Sequence, residues 1–190
     1  ELGGNVLYSL TKKLNLKIGV QLNYTNYNIN AYELKHPTMT TLMLNDLNSG
    51  LPSLSPRSTT LANSEGVYSK KLNNNTYQIS LPVGADIKLL GNETVKWFAG
   101  ATIQPTYIVN SNAYFISSDL KNYVTDESLM RKWNLNAGIE TFISYKTKSG
   151  IILNAGPQFR YQLLSTYSKQ YTYDEKLYNL GVKIGVVTRF

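Results

Sequence analysis

The chain has 190 residues, of which 42% are hydrophobic and only 16% charged, with 15 tyrosines, no cysteine and a formal net charge of +7. That length suits one domain with a sizeable core, and the lack of cysteine excludes a disulfide framework and any thiolate metal site. The basic residues are scattered and no helix gathers them, so no nucleic-acid partner is expected; no run of 18 apolar residues exists to form a transmembrane helix.

In residues 2–10, LGGNVLYSL, Leu2, Val6, Tyr8 and Leu10 share one face with Gly4, while Gly3, Asn5 and Ser9 share the other with Leu7. KLNLKIGVQLNYT (13–25) places Leu14, Leu16, Ile18, Val20, Leu22 and Tyr24 opposite Lys13, Asn15, Lys17, Gly19, Gln21 and Asn23. A period of two identifies a strand, here about twice the usual five or six residues. Beyond Tyr24 the phase slips at Tyr27 and Ile29, which predicts a bulge or the start of a ribbon outside the wall. Residues 31–73 read as a long loop. It holds His36, the only histidine, and a cluster of Met39, Leu42, Met43, Leu44, Leu47 and Leu51. Exposed, these side chains would form a partner surface; folded back, they would cover the barrel mouth. Both readings stay open.

YQISLPVGADIKLL (77–90) sets Tyr77, Ile79, Leu81, Val83, Ala85, Ile87 and Leu89 against Gln78, Ser80, Pro82, Gly84, Asp86 and Lys88. VKWFAGATIQPTYIV (95–109) does the same, with Trp97 and Tyr107 in the apolar row and Lys96 in the other. A second loop is expected at 110–130. KWNLNAGIETFISY (132–145) has Trp133, Ile139 and Tyr145 opposite Lys132, Asn136 and Glu140; IILNAGPQFRYQL (151–163) has Phe159 and Tyr161 opposite Gln158 and Arg160. After a third loop at 166–175, LYNLGVKIGVVTRF (177–190) ends with Tyr178, Leu180, Val182, Ile184, Val186 and Phe190 opposite Lys183 and Arg189.

Seven strands joined by short turns at 11–13, 91–93 and 148–150 and by long loops at the other end predict an all-β fold, an antiparallel up-and-down transmembrane β-barrel spanning 1–190 as one domain. An even strand number is expected, so an eighth strand is placed upstream of residue 1. Two aromatic levels fit the membrane interfaces: Tyr8, Trp97, Tyr145 and Phe190 at the short-turn end, and Tyr24, Tyr77, Tyr107, Trp133, Tyr161 and Tyr178 at the long-loop end. Lys17, Asp86, Lys88, Lys96, Glu140, Arg160 and Lys183 are expected to form a luminal charge network, with Glu140–Arg160 the first pair to look for, because an eight-stranded interior is filled by side chains. Pro82, Pro105 and Pro157 strain the reading, since each removes a ladder donor. A soluble lipocalin-like barrel is the alternative fold, and a narrow channel or small-ligand barrel the alternative role. With one histidine and no phosphate-binding loop, no enzyme, metal or cofactor is expected.

The segments TYQISLPVGADIKLL (76–90), WFAGATIQPTYIV (97–109), NLNAGIETFISYKTKSGIILNAGPQFRYQL (134–163) and YNLGVKIGVVTRF (178–190) resemble the outer-membrane β-barrel superfamily of the Bacteroidota, including its PorT-like and OmpX-like small barrels. The resemblance implies a bacterial outer-membrane location with a periplasmic C-terminus, contact with outer-membrane lipids and lipopolysaccharide, and a terminal Phe190 read by the assembly machinery. It also implies that the chain could be the C-terminal barrel of a dual-membrane anti-sigma protein. The role expected is a membrane anchor, scaffold or surface-sensing module, with a protein partner at the long loops or at a periplasmic tether.

Overall fold

A computed structural model describes residues 1–46 and 49–188. The strands are β1 (Leu2–Ser9), β2 (Leu14–Asn45), β3 (Pro52–Ala62), β4 (Tyr68–Ser80), β5 (Val83–Gly91), β6 (Val95–Asn112), β7 (Tyr114–Ile116), β8 (Asn122–Thr125), β9 (Trp133–Lys146), β10 (Ile152–Gln162) and β11 (Tyr178–Val187), with one 3₁₀ turn at Glu127–Leu129. They form one antiparallel sheet of eleven strands.

The expected count of seven is therefore corrected. Six expected strands recur as β1, β2, β6, β9, β10 and β11, and the seventh is split by Pro82 into β4 and β5. Proline has no N–H to give to a ladder. Its carbonyl accepts from the Gly19 N–H at 2.9 Å, and Leu81 N–H donates to Pro105 O at 2.9 Å, so the break stays tied to both neighbours. The additional strands come from segments read as loops. β2 continues to Asn45, β4 already starts at Tyr68, and β3, β7 and β8 lie wholly within 31–73 and 110–130. These segments are rich in Asn, Ser, Thr and Lys and hold their strand form by pairing, not by a continuous apolar row. β2 keeps a single register with β4 from Gln21 opposite Ser80 to Glu33 opposite Tyr68. The phase slip at Tyr27 is thus a ribbon and no bulge. The irregularity comes later: residues 34–37, including exposed His36 and Pro37, stand against Thr60 alone between the Glu33–Leu61 and Thr38–Thr59 pairs.

The wall runs β1–β2–β4/β5–β6–β9–β10–β11. It is strongly curled. Lys17 on β2 bonds to Glu140 on β9, three strands away, where a flat sheet would hold them about 14 Å apart. Glu1, just before β1, reaches Gln158 on β10 at 2.7 Å and Arg160 at 2.9 Å, across a flat-sheet distance of about 24 Å. β1 and β11 form no ladder with each other among the described residues. Both run from the long-loop end to the short-turn end.

A cap sits on the long-loop end. β2 and β3 fold over the mouth, where Leu44 bridges Tyr171 and Met130 bridges Tyr167. Leu42, Ala113, Phe115, Val124, Leu129, Met130, Tyr167 and Tyr171 make its apolar core. Among the described residues, the buried hydrophobic side chains lie above the level of Tyr107, and the wall below contains none.

Candidate functional site

Two polar layers cross the interior of the wall. The lower one is an ion cluster. Lys17 Nζ lies 2.5 Å from Asp86 Oδ1 and also bonds to Glu140, whose other oxygen accepts from Lys183 Nζ at 2.9 Å. Lys17 and Asp86 are almost wholly buried, so these two face each other with little help from water, whereas Lys183 is half in solvent. Gly100 on β6 makes the room: a Cβ there would stand 2.2 Å from Asp86 Oδ1. The upper layer is neutral. Asn23 on β2 donates to Ser80 on β4 at 2.7 Å, Ser80 and Thr106 on β6 share a bond at 2.8 Å, and Asn136 on β9 donates to Thr106 at 2.7 Å.

The expected charge network is only partly assembled. Glu140 does not pair with Arg160; Gln158 lies opposite Glu140 and Arg160 opposite Gly138, so the two are displaced by two residues, and Arg160 turns to Glu1. Lys88 and Lys96 share the inner face but form no ion pair among the described residues, and Lys132 is exposed ahead of β9. The neutral ladder and the role of Glu1 have no signature in the sequence, because both depend on strand register.

The outer face inverts this chemistry. Leu16, Ile18, Val20, Leu22 and Tyr24 point out from β2, with Ile79 and Tyr77 beside them on β4, and all are exposed. Just above, the same strands change sign. Tyr27, Ile29 and Ala31 now point inward with Leu72, while Asn26, Asn28 and Asn30 point out with Asn73, Asn75 and Lys71. The register never shifts, so the same inner face passes from polar to apolar at Thr25. The described members of the aromatic rows are all exposed: Tyr8, Trp97 and Tyr145 at one end and Tyr24, Tyr77, Tyr107, Trp133, Tyr161 and Tyr178 at the other. Tyr24 meets Tyr77 and Tyr107 meets Trp133 with ring centres 4.9 Å apart, and Tyr161 stands opposite Tyr178. Phe190 and Leu47 lie outside the described residues.

The cap divides the expected apolar cluster. Leu42 is fully buried and Leu44 packs beside it, whereas Met39 and Leu51 are about 70% exposed and Met43 is half-buried. Part of the run is therefore a lid and part an outer surface, which Leu54 extends. Arg57 on β3 donates to Asp126 Oδ2 at 3.0 Å, tying the ribbon to the 3₁₀ turn whose Ser128 N–H and hydroxyl bond Asp126 Oδ1. Burial alone would raise the Asp126 carboxyl, but the Ser128 and Arg57 hydrogen bonds together hold it below its ordinary value. A depressed folded value means that this tie stabilises the cap above about pH 4, the unfolded value, and that the contribution fades as pH falls through the lower folded value. Asp126→Asn should therefore speed amide exchange in β3 at pH 7 by an amount worth about 1 kcal/mol or less, given that Arg57 is a third exposed. The difference between variant and parent should shrink as the pH falls below about 4, and a difference that stayed undiminished in acid would reject the assignment.

Among the described residues, no group of three or more His, Cys, Asp or Glu side chains is placed to hold a metal ion. Comparison with protein-family models, curated proteins and solved structures finds no match to this chain.

Proposed function

We propose that the chain is an integral β-barrel of the bacterial outer membrane, closed at eight strands, that serves as a non-enzymatic anchor presenting its cap outside the cell. The inversion of polarity along continuous strands carries this reading. Below Tyr24 the wall turns apolar side chains outward and polar ones inward; above it the order is that of a protein in water. Lipid outside the lower part accounts for the first arrangement and water around the cap for the second. The aromatic rows fit the same geometry. Trp97 and Tyr107 are ten residues apart on β6, which at about 3.3 Å per residue and a tilt near 40° is about 25 Å, the height of a lipid-facing band. The resemblance to the Bacteroidota barrels supports the same compartment and a periplasmic C-terminus.

The two free edges support closure at eight. β1 and β11 run in the same direction, so one strand running opposite would pair antiparallel with both. A cavity of about 180 Å³ lies between them, lined by Gly3 and Asn5 on one side and by Gly185 and Val187 on the other.

Single cysteines, introduced into a chain that has none, test the orientation. Met39→Cys on the cap should react with a membrane-impermeant maleimide on intact cells, and Glu93→Cys in the 91–94 turn should not. The reverse pattern would invert the topology. Labelling of both, with the protein recovered in the soluble fraction, would favour the lipocalin-like alternative.

A narrow channel is the competing role, and the interior speaks against it. The ion cluster, the Asn23–Ser80–Thr106–Asn136 ladder and the cap core block the axis at three levels. Planar-bilayer recordings should show no stable large conductance steps, and such steps would reject the anchor reading. Partner binding by the cap is tested with Met39, Leu51 and Leu54 changed together to serine, which should reduce the proteins captured on intact cells; an unchanged set would leave a structural role alone.

A further inference from the structure

Folding brings together a charge cluster that is dispersed in the sequence. Lys12, Lys13, Lys88, Lys96, Lys146 and Lys148 all lie at the short-turn end of the wall, against one carboxylate among the described residues, Glu93. Four of them share the inner face. Asn15 stands opposite Asp86, and the Lys88 N–H donates to Lys13 O, so Lys13 and Lys88 are direct cross-strand neighbours. Lys96 lies opposite Ser144, which makes Lys96–Lys146 a diagonal pair, about 7–8 Å apart by sheet geometry, and Lys88 lies opposite Phe98, two residues from Lys96, with a bulge in β5 between Lys88 and Leu90. The row follows the mouth across β2, β5, β6 and β9. Phe98 and Phe142, stacked with ring centres 5.3 Å apart, separate it from the ion cluster above. None of the four lysines forms an ion pair among the described residues.

Like charges placed directly opposite each other destabilise a sheet, and four within a Debye length of about 10 Å sum their potentials. We propose that this row binds an acidic segment of a partner polypeptide at the short-turn mouth. By strand alternation the four lysines fall on the face opposite the outward apolar row, with Lys88 and Lys96 half-buried. Alternate carboxylates on an extended chain repeat every 6.6 Å or so, close to the diagonal spacing of the lysines. The inference needs only the curled wall; the partner's being periplasmic rests on the membrane reading.

The test uses the purified full chain in zwitterionic micelles and a fluorescein-labelled deca-glutamate peptide, read by anisotropy at about 50 mM salt to keep screening low. The wild type should bind. Lys13→Gln, Lys88→Gln, Lys96→Gln and Lys146→Gln combined should weaken binding by about tenfold or more, and the four Lys→Arg changes should retain it. Lys71→Gln, Lys121→Gln, Lys132→Gln and Lys169→Gln combined, an equal charge change on exposed cap positions, should leave it unaltered. The first variant removes a repulsion and should fold at least as well as its parent, which unheated gel mobility checks. Absence of wild-type binding, or equal weakening by both glutamine sets, overturns the proposal. Binding confined to phosphatidylglycerol vesicles and abolished by Lys12→Gln with Lys148→Gln would overturn it in favour of lipid contact. Because micelles impose no compartment, failure here is distinct from failure of the cysteine-labelling test.

Discussion

Replacing Lys17 with methionine should cost the folded wall about 3–5 kcal/mol, the range for removing one partner from a buried ion pair. Lys17 is 4% exposed and serves both Asp86 and Glu140. Without it Asp86 loses the cation beside it, while Glu140 keeps Lys183, which is half in solvent. The cost arises from a carboxylate stranded in the interior, so it should be recovered by removing that charge. Lys17→Met with Asp86→Asn should regain most of the loss, since burying a neutral amide costs far less than burying an ion. Urea titration of the micelle-bound protein measures both. A loss under 1 kcal/mol for the single variant would mean that water already solvates the cluster. A double variant no better than the single would mean that packing around the lysine stem, and not charge, sets the cost.

The parts of this fold that can be read from the sequence are those where the solvent imposes a rule on every second residue. The outer apolar row is unbroken from Leu14 to Tyr24 and from Val95 to Tyr107, and it is visible without knowing which strand lies beside it. The slip at Tyr27 and Ile29 is equally visible, and its structural meaning is an inner face that passes from polar to apolar along one ribbon of constant register. The cap strands carry no such rule. Residues such as Asn73–Asn75 are held by their pairing with Asn26–Asn28, and a polar strand paired on both sides has the composition of a loop. Charge pairing is hidden for a related reason. Whether Glu140 meets Arg160 or Lys17 depends on register and on how tightly the sheet curls. The same dependence hides the row of Lys13, Lys88, Lys96 and Lys146, whose members are up to 133 positions apart in the chain and adjacent only around the mouth.

Phe115→Ala should open the cap while leaving the wall folded. Phe115 is 1% exposed and sits between Tyr167 and Tyr171, each with its ring centre 5.0 Å away, while those two tyrosines meet edge-on at 5.1 Å. Truncating a buried phenylalanine costs about 3–5 kcal/mol, through lost transfer energy and the cavity left behind. Burial raises the Tyr167 and Tyr171 hydroxyls well above their ordinary range, so both phenols stay protonated, and the Tyr171 hydroxyl donates to Ile116 O at 2.8 Å. Loss of the ring between them therefore loosens a packed unit that also holds Leu42 and the β2–β3 ribbon. None of this core is shared with the lower wall, whose interior is polar apart from the Phe98–Phe142 stack and whose apolar face is turned out. The cost should accordingly appear as local opening. Limited proteolysis should cut within 34–62 and 114–130 many times faster than in the parent, while the wall resists and its urea midpoint stays unchanged. A midpoint that fell with the cap would show one cooperative unit from the short turns to β3, and an unaltered cleavage rate would show that Phe115 does not hold the ribbon down.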